Sequence, residues 1–259
     1  MSYGLYISSE GAMSQEYRMQ AIANNIANVD TPGFKREVAL QMARHTERID
    51  QGYDYPGSGT INDISGGVIT VGTKTEFMLG KVESTTNKTD LAIADDGRAF
   101  FVVQDPRNGE QLLTRAGNFE LLSDGQLVLQ SGKGRHAVLD EDMQPIYIDV
   151  NDPTWHISDD GAVVQAGGIR TNIALVHSNN YNDMLKLGEN VYRALDGFTP
   201  VPEMDRKVKA FTLERSSVNP ASEMIEMIVT SRAIETNTKM MQNQDEMTAG
   251  LLNKVLSLS

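Results

Sequence analysis

Both ends of this chain carry narrow apolar stripes at helical spacing, and that pattern constrains the fold more than anything else in the sequence. Near the N-terminus Leu5, Ala12, Met19 and Ile26 recur every seven residues, with Ile22 and Val29 on the interleaved positions. Such a seam belongs to a helix that packs against another helix. Gly4 and Gly11 weaken its first turns, and Pro32 with Gly33 stops it. At the other end Asn219 is a good N-cap and Pro220 suits the first helical position. A second seam then runs through Met224, Met227, Ser231, Ile234, Thr238, Met241, Asp245, Thr248, Leu252 and Val255. A helix reaching Leu256 would be about 55 Å long. Each stripe is incomplete alone. The economical arrangement packs the two helices together, chain ends side by side, with apolar surface left over for other subunits.

The stretch between follows a different period. "DLAIADDGRAFFVVQD", "ELLSDGQLVLQ" and "WHISDDGAVVQ" each place Asp-Gly between two apolar runs, a strong hairpin signal because both residues tolerate positive φ. "PIYIDV" and "NIALVHS" add strands, so the chain reads as all-β from about Asp90 to about Val176. The Gly-rich "DQGYDYPGSGTINDISGGVITVG" before it reads as loop and irregular strand. The expected fold class is α+β: a mainly β central domain with Asp-Gly hairpins, flanked by N- and C-terminal coiled-coil helices that pack together. The expected divisions are 1–33 for the N-terminal helix, 34–75 for a connecting segment, 76–205 for the β domain, and 206–259 for a return segment and the C-terminal helix. A fragment from about Thr60 to about Pro202 holds all the Asp-Gly hairpins and is expected to keep its own core.

Composition narrows the chemistry. At 259 residues and 40% hydrophobic the chain can bury a core, and a net charge of -12 opposes both nucleic-acid phosphate and anionic lipid. There is no cysteine, hence no disulfide and no thiolate. The N-terminal "MSYGLYISSEGAMSQEYRMQ" lacks the basic and apolar regions of a secretory signal peptide, and no apolar run suffices to span a membrane. His45, His136, His156 and His177 are scattered, without a second His at i,i+4. "DDGRAFFVVQD" places Gly, Ala and Phe where a calcium loop needs oxygens. Neither a Gly-x-Ser-x-Gly elbow nor a phosphate-binding loop is present. The expectation is therefore no enzyme, with no catalytic residue, metal site, cofactor or small-molecule substrate. Lys35, Arg36, Arg44 and Arg48 are expected to pair with acidic surface on a neighbour or in the chain itself. The methionines of the C-terminal stretch, Met224, Met227, Met240, Met241 and Met247, read as adaptable packing.

"IANNIANVDTPGFKRE" resembles the N-terminal signature of the bacterial flagellar axial proteins, the rod and hook family. "TDLAIADDGRAFFVVQ", "LTRAGNFELLSDGQLVLQSG", "LGENVYRA" and "LERSSVNPASEMIEMIVTSRAIETNTKMMQNQDEM" resemble further blocks of that family in the same order, covering nearly the whole chain. Within it, the length and the central β domain resemble the proximal and distal rod proteins, and the short stretch before the β domain and the ending "LLNKVLSLS" are more similar to the proximal rod protein, with the distal rod protein next. The resemblance implies a structural subunit of the basal-body rod, the periplasmic drive shaft for flagellum-dependent motility. It implies polymerisation with itself and other rod proteins, and export by the flagellar type III apparatus without a cleaved signal peptide. It implies no nucleic acid, no membrane insertion and no cofactor. The assembly interface it suggests comprises Met19, Ile22, Asn24, Asn25, Ile26, Asn28, Val29, Pro32, Gly33 and Phe34 near the N-terminus, and Met224, Met227, Ile228, Ser231, Ile234, Asn237 and Met241 on the C-terminal helix. Asn24 and Asn25 suit bonds between subunits that fix register, while Asn28 suits local backbone bonds equally well. The residues by themselves leave a second reading open, a secreted β-domain binding module dimerised by its terminal helices.

Overall fold

A computed structural model describes residues 3–60, 63, 65–95, 97–131 and 134–256. They form two compact units, one from residues 3–27, 37–74 and 219–256, the other from residues 28–36 and 75–218. The arrangement is α+β, with a helix at each end of a mainly β chain.

The first unit contains α1 (Tyr3–Ala27), a hairpin of the strands Glu37–Ala43 and Val68–Thr75, the short α2 (Glu47–Asp50) within its loop, and α3 (Pro220–Leu256). The start of α3 follows local rules: Asn219 Oδ1 accepts from the amides of Ala221 and Ser222 at 3.1 and 3.3 Å, and Pro220 opens the helix. α1 and α3 pack antiparallel. Gly4 faces Gln244, Gly11 faces Asn237, Arg18 pairs with Glu226 at 3.3 Å, and Asn25 donates to Glu223 at 3.0 Å. The α1 members of this row are seven residues apart, and so are Glu223, the buried Thr230, Asn237 and Gln244. The row facing the partner helix is thus small and polar on α1, beside the apolar row read from sequence. Gly4 and Gly11 lie inside the helix. A Cβ at Gly11 would stand 3.3 Å from Asn237 Nδ2, and one at Gly4 2.7 Å from Gln244 Nε2, in both cases the far end of a side chain on α3. Only Ala12, Ala21 and Ile22 are buried hydrophobic residues among the described part of this unit.

The second unit is built on a nine-stranded sheet centred on Ala99–Gln104. That strand pairs with Gln111–Thr114 along one edge, and with Gly134–Val138 and Leu175–Ser178 along the other. Its run of apolar residues is buried on both faces: Ala99, Phe101 and Val103 enter one core, Phe100 and Val102 a second. The lone tryptophan, Trp155, packs against the first. Two of the three Asp-Gly segments are hairpins, joining Phe119–Leu121 to Leu127–Ser131 and His156–Ile157 to Ala162–Val164. The third is not. Leu91–Ile93 pairs with Val208–Ala210 and never meets Ala99–Gln104. Asp95 instead caps the loop, accepting from the amides of Gly97, Arg98 and Ala99.

Candidate assembly interface

The N-terminal signature divides between the two units. Met19, Ile22, Asn24, Asn25 and Ile26 belong to α1, whereas Asn28, Val29, Pro32, Gly33 and Phe34 belong to the β unit. Within α1, Ile22 is buried, Met19 and Ile26 are half-buried, and Asn24 is exposed. Asn25 is 0% exposed, and its carboxamide pairs with the chain itself. Oδ1 accepts from the amide of Glu37, and Nδ2 donates to the Glu37 carbonyl, each at 2.9 Å, and to Glu223 Oε2. Only a carboxamide both donates to and accepts from a backbone in this way, so Asn25 ties together α1, the hairpin and α3. These partners of Asn25 all belong to the same chain. Asn24 reaches Glu37 Oε2 at 3.3 Å, and Asn28 accepts from the Thr31 hydroxyl at 3.2 Å, a local bond at the turn.

In the β unit the signature lies along the return segment. The Gly33 amide donates to the Glu214 carbonyl at 2.7 Å, the Ser217 amide to the Phe34 carbonyl at 3.0 Å, and the Arg36 amide to Ser217 Oγ at 3.0 Å. Gly33 has φ 68° and abuts Arg115 and Ala116, where a Cβ would stand 2.5 Å from the Ala116 nitrogen. Only glycine fits that backbone and that space. Phe34 and Lys35 are both buried.

Lys35 is not surface charge. Its Nζ donates to Glu214 Oε1 and to the Met78 carbonyl, each at 2.5 Å. Glu214 Oε1 also accepts from the Gly80 amide at 2.9 Å, and Oε2 takes Arg115 Nε at 3.1 Å. Arg115 Nη1 reaches Asp95 at 2.8 Å and the Ala99 carbonyl at 2.5 Å. Two cations and two carboxylates thus balance inside the β unit. Burial pushes the Lys35 ammonium below the usual lysine range, against the pull of Glu214. Burial also raises Asp95, but the Arg115 guanidinium and the amides of Ala99 and Gly97 outweigh it and hold that carboxyl below its usual range.

On α3, Met224 and Ile228 are exposed, and Met227, Ser231, Ile234, Asn237 and Met241 are half-buried. Ile225 and Val229 extend the exposed patch, and α1 exposes Tyr6, Met13 and Tyr17. Among the described residues there is no group of three or more His, Asp or Glu placed to hold a metal ion, and no helix is long and apolar enough to cross a membrane.

Three family models match along the chain: the flagella basal body rod protein over residues 5–35, the flagellar hook protein FlgE/F/G D1 domain over 92–168, and the flagellar basal body rod FlgEFG protein C-terminal over 210–254. The chain is also 32% identical over 259 residues to the flagellar basal-body rod protein FlgF of Caulobacter vibrioides, covering 98% of each. It belongs to the flagellar basal-body rod protein family. Rod proteins FlgG of Buchnera aphidicola subsp. Schizaphis graminum and Bacillus subtilis are 33% and 31% identical, over 94% and 98% of this chain and 96% and 99% of theirs.

For this rod-family chain, sequence reasoning missed Arg115, Glu214 and Asp95 as partners of the signature. Lys35 and Glu214 lie 179 residues apart, and Arg115 and Glu214 lie 99 apart. No spacing rule joins residues so distant. The one available signal is a lysine directly after the apolar Phe34, which calls for an acidic partner without naming it.

Proposed function

We propose that this chain is a structural subunit of the flagellar basal-body rod, in the FlgF-type, proximal position, and that its paired terminal helices are the surface through which it polymerises with itself and other rod proteins. The observation that carries this is the contrast between the units. The β unit closes two cores of its own. The helical unit buries Ala12, Ala21 and Ile22 and leaves Tyr6, Met13, Tyr17, Met224, Ile225, Ile228 and Val229 exposed. Isolated helices with so little buried area are marginal in water, and exposed apolar patches of this kind mark interaction surfaces. In this reading Asn24, Met224 and Ile228 meet neighbours directly. Met19, Ile26, Asn28, Val29, Pro32, Met227, Ser231, Ile234, Asn237 and Met241 complete their burial there. Ile22, Asn25, Gly33 and Phe34 act from inside, by setting the chain that presents the others.

The proximal reading draws on the Caulobacter FlgF, which matches over 98% of both chains. The family also sets the place of work, the basal body, and supports export through the flagellar type III apparatus.

The test is Ile228→Asp. Ile228 is 56% exposed, so the substitution changes subunit stability by no more than about 0.5 kcal/mol. In a lattice the same carboxylate would be buried without a partner, which opposes assembly by several kcal/mol. The variant accumulates as folded protein, and cells carrying it as sole copy do not swim. Wild-type swimming would sink the proposal.

A further inference from the structure

The return segment bends sharply at Phe211. Val208–Ala210 pairs with Leu91–Ile93, and Thr212–Glu214 pairs with the strand Val82–Ser84, so the chain changes sheets across one residue. Phe211 has φ 55°, the left-handed region in which a Cβ crowds the following carbonyl. Glycine, asparagine or aspartate normally fills it, and a bulky aromatic there is strained. The flanks hold the bend. The Thr85 amide donates to the Phe211 carbonyl at 2.7 Å, the Thr212 hydroxyl to the Lys209 carbonyl at 2.8 Å, and the Arg215 amide to the Lys81 carbonyl at 2.8 Å.

The ring does not repay this strain within the subunit. Ala210 packs against the first core, whereas Phe211 joins neither core and is 41% exposed. Glycine would make the same bend unstrained, so the use of the ring lies outside the chain. The charge beside it indicates what it meets. Lys207 and Lys209 are exposed, and neither ammonium has an ion pair or hydrogen bond among the described residues. In a chain with 35 acidic and 23 basic residues, two free cations next to an exposed ring suit an acidic partner. The same β unit offers such a surface: Glu120 and Asp142 are exposed acids without an ion pair among the described residues.

We propose that Phe211, flanked by Lys207 and Lys209, is the anchor by which the β unit binds the acidic β surface of a second copy of this chain. The proposal rests on the polymer reading above and adds to it a contact away from the helices. Phenylalanine is enriched in the buried centres of interfaces, and cations at the rim steer an acidic partner into register.

Photocrosslinking tests this. The full-length chain carrying p-benzoylphenylalanine at position 211 is expressed in swimming cells and irradiated. A product of two copies is expected, with the second end on an acidic stretch of the β unit, and Lys207→Glu with Lys209→Glu lowers its yield at least fivefold. The same group at position 228 reports the helical surface independently. Cross-links from 228 with none from 211, or from 211 only to a different protein, overturn the proposal and leave the polymer reading standing; none from either position sinks both. Phe211→Gly supplies a second measurement. It removes strain and anchor together, so the urea midpoint of the purified variant holds or rises while the swimming zone of cells carrying it shrinks at least twofold. A midpoint clearly below wild type would make the ring a structural element, and a wild-type swimming zone would make it dispensable; either result overturns the proposal.

Discussion

Replacing Lys35 with methionine tests whether the buried charge network holds the β unit together. Methionine keeps much of the volume and removes one charge. In the wild type Lys35 and Arg115 balance Glu214 and Asp95, and the side chains of Lys35, Arg115 and Glu214 are 0–1% exposed. Lys35→Met leaves one carboxylate in excess and strips the Met78 carbonyl of its donor. Breaking a buried pair by removing one partner costs about 3–5 kcal/mol, a large part of a typical stability of 5–15 kcal/mol. With a urea slope of about 2 kcal/mol per molar, the midpoint falls by roughly 2 M. Trp155 reports it, being the single tryptophan and packed on the main core. Arg36→Met is the control, because Arg36 pairs with Glu76 at a partly exposed site where such pairs contribute at most about 1 kcal/mol. Glu214→Gln alone leaves an excess cation, while Lys35→Met with Glu214→Gln restores neutrality. The double variant therefore loses less than the sum of the singles, with a coupling of about 1–3 kcal/mol. A Lys35→Met midpoint no lower than that of Arg36→Met would refute the reasoning.

Asp95→Asn should destabilise the β unit at neutral pH. The folded pKa of Asp95 is depressed, so its contribution is complete above the ordinary carboxylate pKa of about 4 and fades as the pH falls through the folded value. The gap between wild type and variant in urea melts should accordingly narrow below about pH 4, and a gap that widens there would be contrary. In dilute solution, amide hydrogen exchange should be faster throughout α1 and α3 than in the strand Ala99–Gln104, since the helical unit buries few hydrophobic residues; equal protection would contradict this. Finally, a fragment spanning residues 28–218 should melt cooperatively. One spanning 60–202 lacks Lys35 and Glu214 and should show a much lower midpoint or none, and equal midpoints would show that the network is dispensable.

The same comparison shows what sequence could and could not reveal. Elements whose causes are local were legible. Asn219 and Pro220 start a helix because cap and first turn are neighbours in the chain. Asp124-Gly125 and Asp160-Gly161 make hairpins because the flanking strands have nothing closer to pair with. The Asp95 segment carries the same signal and does otherwise, because Val208–Ala210 claims the strand before it and Arg115 claims the carboxylate. Both choices are made by partners far along the chain.

By itself the sequence determined the helical ends, the β middle and the family signature, since each rests on periodicity or on residues within a few positions. Tertiary structure decided what the signature does. It split the motif between α1 and the β unit, turned Gly4 and Gly11 from weak points into close contacts, and drew Asn25 inward onto Glu37 and Glu223. It also buried Lys35 against a carboxylate 179 residues away. The physical reason is that burial removes water as the default partner of every polar group. Each must then find another wherever the fold places one, and that place is set by the whole chain and not by the neighbouring residues.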